Sequence, residues 1–228
     1  LKGFGEPAGP NASGPVLKPF VDELAAYLRT LPGKPAVVGH SMGGLAALML
    51  AADHPGVAGK LLIVDAFPFI GPVFGAADVA AIKPRAEQMR AMIVGQADKV
   101  TPDFKTRADC PDTLPAPAIP DGNMTNSAVG ACMMRHGAMA SDLRVVAQAM
   151  YDDMVTDLRP RLKDIAVPVT VLYPQDDRLL PAAQAEKLYA ESYAGTSKLT
   201  LVSIAGSYHF IMQDQPARFR AALDRFLK

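Results

Sequence analysis

Six residues near the front of the chain, Gly39-His40-Ser41-Met42-Gly43-Gly44, have the spacing of a serine nucleophile. Before them runs Pro35-Ala36-Val37-Val38, short, apolar and β-branched. After them runs Leu45 to Ala52, built of strong helix formers. Gly-x-Ser-x-Gly therefore falls where a strand turns sharply into a helix, the context a nucleophile elbow requires. Such a turn holds the serine in a strained backbone conformation and requires small neighbours, here Gly39 and Gly43. Gly44 then lets the helix approach the sheet. The Met42 N–H points into the same space as the Ser41 hydroxyl and is the candidate oxyanion donor.

A serine at neutral pH needs a base. Four histidines are available. His40 lies inside the elbow, with its side chain expected to point away from the site. His54, before Pro55, reads as a helix C-terminal cap. His136 reads as an exposed helix residue. His209, in Ser207-Tyr208-His209-Phe210, follows the last strand, and the carboxyl ends of parallel strands are where open α/β sheets place their ligands. His209 is therefore the expected base. The base needs a carboxylate to orient it. Asp177 lies just past the third strand in Tyr173-Pro174-Gln175-Asp176-Asp177-Arg178-Leu179-Leu180-Pro181 and ranks first. Asp65, at the end of the second strand, ranks second, and Asp176 third.

The elements that must position these groups follow from pattern. A helix is expected from about residue 15 to 30, capped by Ser13, with Val16, Phe20, Leu24 and Leu28 on one face. Strands are expected at 35–38, 60–66, 167–173 and 199–204, the second of them uniformly apolar over Leu61 to Val64, as in a parallel sheet covered on both faces. Amphipathic helices are expected at 181–193 and 215–228. The roughly one hundred residues after the second strand carry no strand signal and are too long for a connection. They read as an inserted, mostly helical cap, residues 68–160, between core segments 1–67 and 161–228. Its helices are expected at 76–96 (broken near Pro84), 128–136 and 141–158. Eight of the 11 methionines fall in this cap, either filling its own core or lining an apolar pocket.

Composition narrows the function. With 50% hydrophobic residues and formal net charge +0, the chain has material for one large core and no electrostatic reason to bind nucleic acid. No apolar run approaches the ~18 residues that span a bilayer. Cys110 and Cys132 are too few for a disulfide scaffold and lack metal-site spacing, though a bridge closing the Pro-rich loop between them is favoured over two free thiols.

These motifs resemble the α/β-hydrolase superfamily, in its lipase/esterase-like branch with a helical cap. The resemblance rests on Gly-His-Ser-Met-Gly-Gly at 39–44, Tyr-Pro-Gln-Asp-Asp-Arg-Leu-Leu-Pro at 173–181 and Gly-Ser-Tyr-His-Phe at 206–210, in the family's order Ser, Asp, His. Leu1-Lys2-Gly3-Phe4-Gly5 resembles the family's Gly-x-Gly loop. Ala-Gly-Pro-Asn-Ala-Ser-Gly-Pro-Val-Leu at 8–17 and Ser-Tyr-His-Phe-Ile-Met at 207–212 are similar to a group of bacterial hydrolases, often exported. The resemblance implies an α/β core with a parallel sheet and a helical cap. It implies hydrolysis of a small ester or acyl substrate by Ser41, His209 and Asp177 (alternative acid Asp65), with no metal or organic cofactor. It favours a periplasmic or secreted location over a cytoplasmic one. A cofactor-free haloperoxidase, a C–C hydrolase, a non-catalytic binding homologue and an inactive fragment are the alternatives. The family places further strands and a second oxyanion-donor loop upstream. The chain begins at Leu1 with no signal peptide, so it is expected to be the C-terminal part of a longer protein, with its elbow strand at an open sheet edge.

Overall fold

The computed structural model describes residues 2–8, 14–103, 109–111 and 124–228. Four parallel strands form one sheet in the order β1 (Ala36–His40), β2 (Lys60–Val64), β3 (Val169–Gln175), β4 (Leu199–Ala205). Helix α1 (Leu17–Leu28) precedes β1 and α2 (Met42–Asp53) follows it. Between β2 and β3 lie a 3₁₀ turn (Gly71–Phe74), α3 (Val79–Ala97), α4 (Ala128–Met139), α5 (Leu143–Val155) and a second 3₁₀ turn (Arg159–Asp164). Helix α6 (Ala182–Ser192) joins β3 to β4, and α7 (Ile211–Asp214) and α8 (Pro216–Leu227) end the chain. This is an α/β-hydrolase-type arrangement, a parallel sheet with helices packed against it.

The main core lies between the sheet and α2. Leu45 to Ala52 are all buried because α2 is sandwiched, with Leu61 and Ile63 of β2 on one side and Leu17, Val21, Ala25 and Leu28 of α1 on the other. A helix covered on all sides has no polar face, which is why this stretch shows no amphipathic period. The buried stripe of α1 keeps Leu28 from the expected face but otherwise runs through Leu17, Val21 and Ala25: Phe20 and Leu24 are only partly buried, and Val16 is the N-cap residue. Ser13, the expected cap, lies outside the described residues, as do 112–120 of the Pro-rich run.

A second apolar cluster lies on the opposite face of the sheet, with Leu62, Val64, Leu172, Ile204 and Ile211 packed against α8. A third joins α3 to α5 through Phe69, Ala76, Ile82, Ala86 and Met154. Helix α3 runs through Pro84 unbroken, although Pro84 is its sixth residue and cannot donate to the Ala80 carbonyl. Of the methionines, Met154 is buried and Met89 packs against this third cluster, whereas Met92, Met133, Met139 and Met150 are exposed. Helix α5 is tied to the start of α1 by Asp152, whose carboxylate accepts from the Val16 and Leu17 N–H groups at 2.6 and 3.1 Å.

Strand β1 pairs only with β2 among the described residues, so the elbow strand stands at the sheet edge, with Val38 46% exposed. Among the described residues the front of the chain does not pair with it. Phe4 bridges Ser141 instead, and Gly5 N–H donates to the Ala140 carbonyl at 2.7 Å. Cys110 and Cys132 are joined by a disulfide, as the sequence reading favoured.

Candidate active site

Ser41 sits between β1 and α2 with φ 55 and ψ −129. Few residues with a side chain adopt a positive φ, and one that does is held there by its surroundings. The constraint is visible at Gly39, where a Cβ would lie 2.1 Å from the Gly43 carbonyl oxygen. At Gly44 a Cβ would lie 2.6 Å from Ala66 Cβ, so this glycine sets the approach of α2 to the end of β2. Gly43, expected to be small for the same reason, faces open space. The Ser41 carbonyl accepts from Gly44 and Leu45 N–H at 2.7 and 3.2 Å, closing the first turn of α2. That leaves the Met42 N–H at the first helical position, where N–H groups have no intrahelical acceptor and the helix dipole is positive.

The carboxylate beside His209 is not the one ranked first from the sequence. His209 Nδ1 lies 2.7 Å from Asp65 Oδ2. Asp177 is exposed and its Oδ1 accepts from Gln175 Nε2 at 2.8 Å, away from His209. Asp176 pairs with Arg178 at 2.8 Å. The reason is the order of the strands. The Ser41 N–H donates to the Val64 carbonyl at 3.0 Å, so Asp65, the next residue, stands directly beside the elbow. The loop after β4 must pass over the ends of β3 and β2 to approach β1, and it meets Asp65 on the way. The Asp177 turn stays beside β4 instead, with the Gln175 carbonyl accepting from Gly206 N–H at 2.7 Å. Asp65 has φ 43, so both Ser41 and Asp65 leave their strands through left-handed turns.

Asp65 is buried, and its second oxygen accepts a short hydrogen bond from the Tyr189 hydroxyl of α6. Tyr189 is stacked between Phe67 and Tyr173, each centroid 4.7 Å away. Burial, and then the Asp65 charge, push the Tyr189 phenol well above its ordinary value, so it remains a donor. One turn on, the Tyr193 hydroxyl donates to the Ala66 carbonyl at 2.8 Å. Two tyrosines thus brace the acid from below. No local signal in the sequence marks them, since Tyr189 and Tyr193 read as apolar-face residues of an amphipathic helix.

His40 does not turn away from the site as expected. Its ring packs on His209 with centroids 4.5 Å apart, and its Nε2 lies 2.9 Å from the His209 carbonyl oxygen. A carbonyl only accepts, so Nε2 carries the proton. Burial, and then the charge of His209, lower the His40 pKa to about 4, which keeps the ring neutral behind the base. The base loop is anchored further by Asp214, which accepts from Tyr208 N–H at 2.7 Å and Asn126 N–H at 3.0 Å. Phe210 N–H donates to the Met124 carbonyl at 2.9 Å. His54 is the C-cap residue of α2, and its ring contacts Asp22 and Arg29, tying α1 to that helix end.

Asp65 and His209 thus meet at the carboxyl end of β2, beside the Ser41 turn at the end of β1; among the described residues the Ser41 hydroxyl makes no hydrogen bond. Nucleophile–base contacts are often long before substrate is bound. One further acidic group feels His209. Asp153, in the last turn of α5, has its carboxyl raised to about 6 by burial, with the His209 charge opposing.

Comparison with known proteins agrees with this architecture. Over 186 residues the chain is 29% identical to the pimeloyl-[acyl-carrier protein] methyl ester esterase of Aromatoleum aromaticum, covering 79% of this chain and 69% of that protein. It is 28% identical over 186 residues to the bifunctional esterase/perhydrolase DCH of Acinetobacter calcoaceticus, covering 75% of this chain and 60% of that one. The chain spans 55% to 69% of the length of the curated relatives it matches. Among solved structures, the enol-lactonase from Burkholderia xenovorans superposes with a TM-score of 0.67 at 21% identity, over 99% of this chain and 78% of that one. The model of the alpha/beta hydrolase family matches residues 1–222, and the chain belongs to that family.

Proposed function

We propose that this chain carries the catalytic groups of a serine esterase acting on a small, apolar carboxylic ester, with Ser41 as nucleophile, His209 as base and Asp65 as the orienting acid. The observation that supports this most directly is the 2.7 Å contact between His209 Nδ1 and Asp65 Oδ2, beside a serine held at positive φ just past the end of the neighbouring strand. Asp65 fixes the His209 tautomer with its proton on Nδ1, leaving Nε2 free to take the Ser41 proton. The Ser41 oxygen adds to the ester carbonyl, and the Met42 N–H donates to the oxyanion. The His209 imidazolium then protonates the leaving alcohol. Water, deprotonated by His209, releases the acid from the acyl-enzyme. The relatives named as esterases favour this acyl chemistry over a binding role. The relative that is also named a perhydrolase favours a second outcome for the same acyl-enzyme, transfer to hydrogen peroxide rather than water.

The test is a panel of p-nitrophenyl esters from acetate to palmitate, together with fluorophosphonate labelling. Ester turnover that Ser41→Ala abolishes along with labelling, while the fold is retained, supports the reading. Unchanged turnover by Ser41→Ala, or no labelling of the wild-type chain, removes it.

A further inference from the structure

Away from the catalytic groups, the disulfide has an unexplained neighbour. The ligand atoms of Cys110, Cys132 and His136 all lie within 4.8 Å of one another, each residue half-buried. Cys132 and His136 are four residues apart on α4, so their side chains stand one above the other on the same helical face. That i, i+4 spacing is the one by which a helix presents two ligands to a single zinc ion. Cys110 comes from the chain 22 residues earlier, with its Cα 5.8 Å from that of Cys132. A disulfide accounts for the two cysteines but not for a histidine directed at them. Linear spacing did not signal the site, because Cys110 is brought in only by the fold.

We propose that Cys110, Cys132 and His136 form a redox-gated site for a borderline or soft metal ion, zinc(II) above all. In the oxidised chain the sulfurs are bonded to each other and the site is closed. A dithiol opens it by thiol–disulfide exchange: two electrons and two protons pass from the dithiol to the two cysteines, and the dithiol leaves as its own disulfide. Zinc then displaces the two thiol protons and takes two thiolates and the imidazole, with water as its fourth ligand. Metal–ligand distances of about 2.0–2.3 Å put tetrahedral ligand atoms roughly 3.3–3.8 Å apart, within the spread these three already show. Little backbone movement is needed, since the same Cα separation serves both states. In either state Cys110 stays fastened to α4. The tether is exchanged rather than lost when the redox environment changes, and the catalytic groups are not part of it.

The test is zinc(II) titration of the 228-residue protein against a chromophoric chelator, oxidised and after reduction with a phosphine that does not compete for the metal. The reduced chain is expected to bind one zinc and the oxidised chain none. Reduced His136→Ala is expected to bind at least about tenfold more weakly. Cobalt(II) should give a tetrahedral, thiolate-containing spectrum only in the reduced wild type. His136→Ala in the oxidised state should melt like the wild type, which shows that its defect is in ligation. Equal binding by the oxidised chain, no binding by the reduced chain, or unchanged affinity in His136→Ala would overturn the proposal.

Discussion

Replacing Asp153 by asparagine is expected to stabilise the protein, and only at neutral to alkaline pH. The wild-type carboxyl lies in the last turn of α5, without a hydrogen bond or ion pair among the described residues. Burial raises its pKa from 3.8 to about 6, against the opposing attraction of His209. An acid raised on folding keeps its proton in the native state after the unfolded chain has released it. Between pH 3.8 and about 6 the folded state therefore binds more protons, and stability falls as pH rises. Above about pH 6 both states are ionised and the full cost of the buried charge is present. Taken at face value that gap is about 3 kcal/mol. The side chain is partly open to solvent, and screening brings the figure to about 1–2 kcal/mol. An asparagine at this position carries no charge at any pH. Denaturant unfolding at pH 8 should show Asp153→Asn more stable than wild type by that amount. Thermal melting should show a gain of roughly 2–8 °C. At pH 4 the difference should vanish. A mutant whose advantage is the same at pH 4 and pH 8, or that is less stable at pH 8, would refute the reasoning.

Three further outcomes are expected. Asp65→Asn should lower ester turnover by about 10⁴, because the His209 tautomer is lost, while Asp177→Asn should stay within about twofold; the two variants assayed side by side decide between the carboxylates. Tyr189→Phe should leave the fold intact and cost about tenfold in turnover, since it removes one charge-assisted hydrogen bond from Asp65; an effect as large as that of Asp65→Asn would show that the tyrosine does more than brace. Gly39→Ala should fail to accumulate as folded protein, because its Cβ would meet the Gly43 carbonyl, whereas Gly43→Ala, which faces open space, should express normally.

Local chemistry made much of this protein legible. Ser41 could be found because an elbow is a local event, with its strand, small residues and helix contiguous in the chain. The parallel sheet could be read from strand signals alternating with helices and from the apolar run of β2, which is covered on both faces, and the long stretch between β2 and β3 from its lack of strand signal. His209 was singled out as the candidate base by the Ser-Tyr-His-Phe segment after the last strand. The carboxylate that meets His209 was not legible. Asp65 and Asp177 both end strands, and no local pattern says which strand end the β4 loop crosses. Only the order β1-β2-β3-β4, with β2 next to the elbow, puts Asp65 against His209. The same holds for His40 packed behind the base, Tyr189 beneath the acid and His136 beside the disulfide. Each depends on the meeting of segments far apart in the chain. Linear spacing determines which side chains share an element, but which elements touch is decided by the core that buries them together.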